Sequence, residues 1–256
     1  MTLFEAVAGV ISGFAAGVLS GAFGVGGGII TTPAIVAFFD VLPIIAVATP
    51  LPVILPTALT GAARYRKAGQ IDLRAVKWMA GPGMFGAAAG ALVADRVNAD
   101  ILLLVTAGLL AWQAVQVARG KQARPSRTHT EVPGWQYGLA GAAAGFVSGL
   151  LGVGGGIILV PLLAGVFGMP LKQALGTSLA AIVALVIPGA IVHWALGNID
   201  WAIALVLTVG VVPGARLGAR LSLGAGEGAL RLAVGVFLIL VAVLFAAEEI
   251  SVLVRT

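Results

Sequence analysis

The residues best suited to chemistry in this chain are glycines. Residues 24–28 read Gly-Val-Gly-Gly-Gly, and residues 152–156 repeat the same five letters. If each run opens a helix, the N–H groups of the first turn have no intrahelical acceptor and can converge on one point. The missing side chains let a ligand approach the backbone. The partial positive end of the helix adds attraction on the order of 0.3–2 kcal/mol for a negative charge. The expected chemistry is anion binding, with Gly24, Gly26, Gly27 and Gly28 in one nest and Gly152, Gly154, Gly155 and Gly156 in the other. The competing reading is close helix packing or a tight turn, a common use of glycine in apolar helices. Two copies, each preceded by a serine (Ser20, Ser148) and followed by a proline (Pro33, Pro161), favour the nest.

Hydroxyls near these turns could complete the shell around an oxyanion without a fixed positive charge: Ser20, Ser148, Thr49, Thr177 and Ser178. Each could instead bond the carbonyl one turn back in its own helix. Other chemistries find little support. The glycine runs lack the Gly-Lys-Ser/Thr ending and the preceding strand of a nucleotide-binding loop. The chain has no cysteine and only two histidines, His129 and His193, so thiolate sites, disulfides and a histidine metal cage drop out, and no cofactor or metal is expected. No paired carboxylates or nucleophile with a base stand in the apolar runs, so the chain does not read as an enzyme. Asp72 and Asp200 sit where helix N-caps belong. Arg216 and Arg220 suit headgroup contact better than a substrate counter-charge. His193 could relay a proton, but a lone histidine is more often structural.

The elements that must hold these residues are membrane helices. Of 256 residues 60% are hydrophobic and 10% charged, against roughly 25% charged in a soluble domain. Period-two alternation is missing, which argues against a membrane barrel and for helices. The excess of Lys and Arg, 15 against 10 Asp and Glu, falls between apolar runs, a pattern of lipid-facing loops rather than of nucleic-acid binding. The first 16 residues lack a basic leader and run into the first glycine motif, so they are expected to belong to the fold.

Offsetting the sequence by 128 aligns residues 20–33 with 148–161 at 10 identities in 14 positions, and pairs Gly69-Gln70-Ile71-Asp72 with Gly197-Asn198-Ile199-Asp200. One unit has been duplicated. Residues 1–117 form the first membrane repeat, 118–134 a polar linker and 135–256 the second repeat, together one transmembrane domain. Apolar runs at about 4–20, 27–39, 43–63, 75–94 and 99–117 recur in the second half. The last three of each set have the length to span a bilayer, while the first two suit re-entrant or short broken helices tipped by the glycine motif. An odd number of crossings per half puts 13 Lys and Arg on the cytoplasmic side and two outside; an even number gives 10 and five. The expected fold is therefore an all-α integral membrane protein of two inverted-topology repeats, whose glycine tips meet near the midplane. The linker is expected in the cytoplasm, both chain ends outside, and the protein in the cell inner membrane.

The duplicated Ser-Gly-x-x-Gly-Val-Gly-Gly-Gly-Ile-Ile-x-x-Pro, with Leu-Gly-Thr-Ser-Leu at 175–179 and Gly-Asn-Ile-Asp at 197–200, resembles the sulfite exporter TauE/SafE family over nearly the whole chain. The resemblance implies a secondary transporter of a small sulfur oxyanion or organosulfur anion, such as sulfite, sulfoacetate or thiosulfate-like ions. Alternating access around a central anion site, with export as the direction and proton or sodium coupling, is the expected mechanism. A passive anion channel, or a non-catalytic membrane subunit, is the alternative. In the first half the Thr-Ser pair becomes Thr49-Pro50, so the two halves are expected to contribute unequally. The expected partners are a small anion and the lipid bilayer, and no nucleic acid.

Overall fold

The computed structural model describes residues 2–97 and 131–226, together with single positions or short stretches between 102 and 108 and between 228 and 236. The linker expected at 118–134 falls outside these residues up to position 130, as do most of the fifth apolar run and its repeat. The described chain is all helix. Its elements are α1 (Leu3–Phe23), α2 (Gly28–Phe38), α3 (Pro43–Ala48), α4 (Pro50–Lys67), α5 (Leu73–Ala94), α6 (Gly134–Leu151), α7 (Gly156–Pro161) running into a π-helical turn (Leu162–Val166), α8 (Leu171–Ala195) and α9 (Trp201–Gly224).

Among the described residues four stretches are long and apolar enough to cross a membrane: α1, α3 with α4, α8 and α9. The helix α1 is longer than the apolar run at 4–20, which the sequence leaves as a re-entrant arm or a short crossing. A capping box between Thr2 and Glu5 starts α1, and Gly24 in a left-handed conformation stops it, so the helix has 21 residues. α2 stays short at 11 residues, as read from the sequence. α5 has 22 residues and the length to span, with Arg74 and Lys77 near its start. The break between α3 and α4 has a local cause. Pro50 stands where α8 has Ser178, and a proline nitrogen cannot donate to the preceding turn, so the ladder is interrupted at Thr49 while α8 runs unbroken.

Packing runs between the halves. α1 lies along α9 and α6 along α5, each pair through a stripe of glycines spaced four apart. A Cβ at Gly13, Gly17 or Gly21 would strike the α9 carbonyls of Leu207, Val211 and Ala215; one at Gly141, Gly145 or Gly149 would strike the α5 carbonyls of Met79, Gly83 and Ala87. Both lists rise in the same direction, so each pair is parallel. Every partner in the second list is its counterpart in the first, offset by 128. Small residues allow backbones this close, and the dispersion gained across such a seam replaces the hydrophobic drive that lipid does not supply.

The equivalent helices α4 and α8 run antiparallel: Gly61 faces Leu179, and Gly189 faces Leu51. Within each half the short helix folds back along the long one. Gly27 lies 3.6 Å (from its Cβ position) from the Ser20 Cβ, and Gly9 lies 3.2 Å from the Phe39 ring. The second half does the same with the Tyr137 and Phe167 rings, edge to face at 5.1 Å. Trp78 and Trp135 are exposed at one end of the bundle, and Trp194 and Trp201 at the other, where aromatic side chains belong at the two membrane interfaces.

Candidate functional site

Each glycine motif is a left-handed turn between a long helix and a short one. Gly24, Gly26 and Gly27 have φ of 70°, 90° and 91°, and Gly152, Gly154 and Gly155 have 66°, 88° and 74°. Only glycine adopts such angles without strain, and the turn closes the long helix through the Gly24 or Gly152 N–H and leads into α2 or α7, whose first-turn N–H groups lack intrahelical acceptors. Gly28 and Gly156 do a different job. Each has ordinary helical geometry, but a Cβ on Gly28 would strike the Gly152 carbonyl, and one on Gly156 the Gly24 carbonyl. The two turns therefore interlock. A Cβ on Gly26 would lie 3.5 Å from the Gly154 Cα, and the converse distance is the same, so the turns meet where the halves are related to one another. Ile54 and Ile182 pack over this contact. The tight turn and the close backbone approach are thus divided among positions of one motif.

The hydroxyls separate into three kinds. Ser20 and Ser148 are fully buried, and among the described residues neither Oγ has a hydrogen-bond partner. The back-bonding alternative is thus absent at both, although Thr31, Thr57 and Thr208 do bond the carbonyl four residues earlier. A Cβ on Gly27 would stand 3.8 Å from the Ser20 Oγ, so that hydroxyl borders the first turn. A buried hydroxyl left unpaired costs about 1–3 kcal/mol, and such groups call for an explanation. Thr49 and Thr177 are braces instead. The Asp200 N–H donates to the Thr49 Oγ1 at 3.1 Å, and the Asp72 N–H to the Thr177 Oγ1 at 2.9 Å. Each threonine holds the loop of the opposite half. Ser178, the third kind, donates to the Gly24 carbonyl at 2.8 Å and ties α8 to the first glycine turn. Pro50 leaves the first half without that tie, which makes the halves unequal, as the Thr49-Pro50 departure implies.

Asp72 and Asp200 are N-caps, each accepting two backbone N–H groups at 2.9–3.1 Å. His193 is fully buried, and its Nε2 meets the Gly149 carbonyl at 3.0 Å. The residue equivalent to it is Tyr65, whose hydroxyl bonds the matching Gly21 carbonyl at 3.2 Å and Ser222 Oγ at 2.8 Å. Tyr65 and Ser222 were not among the residues singled out from the sequence; the offset of 128 that aligns Tyr65 with His193 points to the tyrosine, while Ser222 aligns with Ala94 and carries no such signal. Arg216 lies on the exposed face of α9, beside Arg64 and Lys67 of α4. No group of metal-ligating side chains occurs among the described residues.

A family model described as "Sulfite exporter TauE/SafE" matches residues 9–245. The chain is 29% identical over 238 residues to a protein of Bacillus subtilis named "Probable membrane transporter protein YunE", covering 83% of this chain and 87% of that one. A "Probable membrane transporter protein" of Xylella fastidiosa is 28% identical over 241 residues, covering 92% and 91%. No solved structure matches the chain.

Proposed function

Because the chain belongs to the sulfite exporter TauE/SafE family and is a membrane transporter, we propose that it carries a small sulfur oxyanion or organosulfonate through a site formed by its two glycine turns. Ser20 and Ser148 donate to the anion from opposite halves. Gly26, Gly27 and their equivalents Gly154 and Gly155 supply backbone N–H groups; the N–H groups of Gly24 and Gly152 close the two long helices on the Ser20 and Ser148 carbonyls, and Gly28 and Gly156 open the two short helices. Thr49, Thr177 and Ser178 hold the surrounding loops and the first turn in place.

The observation that carries this reading is the pair of buried, unpartnered serine hydroxyls, each next to a left-handed glycine turn. An oxyanion would satisfy both, and neutral donors bind it without the deep well that a buried cation would create, so release remains fast. The alternate arrangement of the site is reached when the interlocked turns part, exposing the N–H groups first to one side and then to the other. The family's description as a sulfite exporter supports export as the direction.

The topology proposed with it is inverted. The antiparallel crossing of the equivalent helices α4 and α8 supports this, because a two-fold relation between antiparallel spans has its axis in the membrane plane. The cation positions agree. An even number of crossings per half would put Arg216 opposite Arg64 and Lys67, yet all three line one cavity. The fold-back of α2 on α1 supports re-entrant hairpins entering from opposite faces. The side with Lys67, Arg74 and Lys172 is then the cytoplasm of an inner membrane, and the 118–134 linker lies there.

Counterflow in proteoliposomes loaded with sulfite, sulfoacetate, thiosulfate, taurine or oxalate tests the reading. Ser20→Ala with Ser148→Ala should lower exchange of the preferred anion at least about tenfold, equivalent to about 1.4 kcal/mol, while thermal stability stays level or rises because no protein hydrogen bond is lost. Normal exchange by the double variant, at normal protein levels, would remove the serines from the site.

A further inference from the structure

We propose that the groove between the C-terminal half of α4 and the exposed face of α9 binds the headgroup of an anionic phospholipid. A cavity of about 460 Å³ lies there, lined by Leu59, Thr60, Ala63, Arg64, Lys67 and Arg216. Two of its cations come from the first repeat and one from the second. Among the described residues none of the three has a carboxylate partner. Three like charges facing one space repel each other unless an anion stands between them, and the described residues offer no protein group for that role. The two guanidinium groups suit the paired oxygens of a phosphate, and the Thr60 hydroxyl adds a neutral donor.

The rest of the lining decides between a lipid and a dissolved oxyanion. Leu59 is 50% exposed and Ala63 is also exposed, on the same face of α4 as Lys67. Eight residues separate Leu59 from Lys67, about 12 Å along a helix. The groove is thus cationic at the helix end and apolar about two turns deeper, which is the polarity profile of a phospholipid from phosphate to upper acyl chain. A free anion would meet the same cations but would leave Leu59 uncovered.

The experiment uses the purified full-length protein in detergent, given equal amounts of phosphatidylglycerol and phosphatidylcholine, with retained lipid counted by native mass spectrometry. Wild type should retain phosphatidylglycerol about tenfold over phosphatidylcholine, a preference that falls as salt is raised. Arg64→Gln with Arg216→Gln should bring the ratio near one. Arg66→Gln with Lys77→Gln removes the same charge from exposed positions outside the groove and should keep most of the preference. If the groove pair yields no monodisperse protein, Lys67→Gln alone should cut the preference about fivefold. Equal retention of the two lipids by wild type would overturn the proposal, as would equal losses in the groove and control pairs or an unchanged ratio in Lys67→Gln. Inorganic sulfite or phosphate that displaces phosphatidylglycerol at millimolar concentration would reassign the groove to a free oxyanion and equally overturn it.

Discussion

The backbone N–H of Asp72 donates to the Thr177 Oγ1 at 2.9 Å, so the residue that caps α5 in the first half is held by a threonine of the second. The mirror bond joins Asp200 to Thr49 at 3.1 Å. These bonds fix where α5 and α9 begin, and with them the glycine seams along α6 and α1. Thr177→Val keeps the shape and removes the acceptor, leaving a partly buried N–H unpaired at a cost of about 1–2 kcal/mol. Thr177→Ser should restore most of it. Thermal unfolding in detergent reads both. Transport per folded molecule should change little, since the proposed role of Thr177 is to hold the Asp72 loop.

Tyr65 carries a second cross-half link, through its hydroxyl to Ser222 Oγ at 2.8 Å and to the Gly21 carbonyl at 3.2 Å. Tyr65→Phe should destabilise by about 1–3 kcal/mol because it leaves the buried Ser222 hydroxyl and Gly21 carbonyl without their shared partner. Ser222→Ala removes one of those groups. The double variant should therefore cost less than the two singles added together, and a thermodynamic cycle from denaturant unfolding checks this. Strict additivity would mean the hydroxyls do not interact.

A matched pair of glycines separates backbone strain from the anion site. Gly27 has φ 91° with its nearest neighbour 3.6 Å from the Cβ position; Gly69 has φ 68° with nothing within 4 Å. Alanine fits sterically at both, and each pays a left-handed cost on the order of 1–3 kcal/mol. Gly27→Ala should lose most counterflow activity, and Gly69→Ala should keep it at similar stability. Gly155 is the poorer test, because a Cβ there would come within 2.6 Å of the Ala144 carbonyl and disturb α6 itself.

The inverted arrangement predicts opposite access for equivalent loops. The chain has no cysteine, so a single one reports cleanly. Ala68→Cys, just after α4, should react with a membrane-impermeant maleimide only after the cytoplasmic face is opened. Leu196→Cys, at the equivalent place after α8, should react in intact cells. Both positions are exposed to solvent or headgroups in the structure. Labelling of both cysteines from the same side would rule out the inversion.

Asp72→Asn tests the division between scaffold and site. The carboxylate accepts from the N–H groups of Arg74 and Ala75, and an asparagine oxygen can do the same. Stability should drop by less than about 1 kcal/mol and counterflow should stay within about twofold of wild type. A large loss of transport at unchanged stability would give Asp72 a part in the anion path.

The sequence alone determined what depends on local backbone chemistry and on copying. The duplication is written in the identities at offset 128; the caps at Asp72 and Asp200 follow from a short acceptor placed just before an apolar run; the left-handed turns follow from glycines that no other residue could replace. Partner choice was not legible in the same way. Glycines four apart occur on α1 and α6 and mark a face that another backbone approaches, yet glycine carries no information about which helix arrives, and only the packed structure pairs α1 with α9 and α6 with α5. The fate of the hydroxyls was equally undecided. Ser20, Ser148, Thr49 and Thr177 have the same donor and acceptor groups, and what divides them into two orphans and two braces is whether the opposite half brings a backbone N–H to within 3.1 Å.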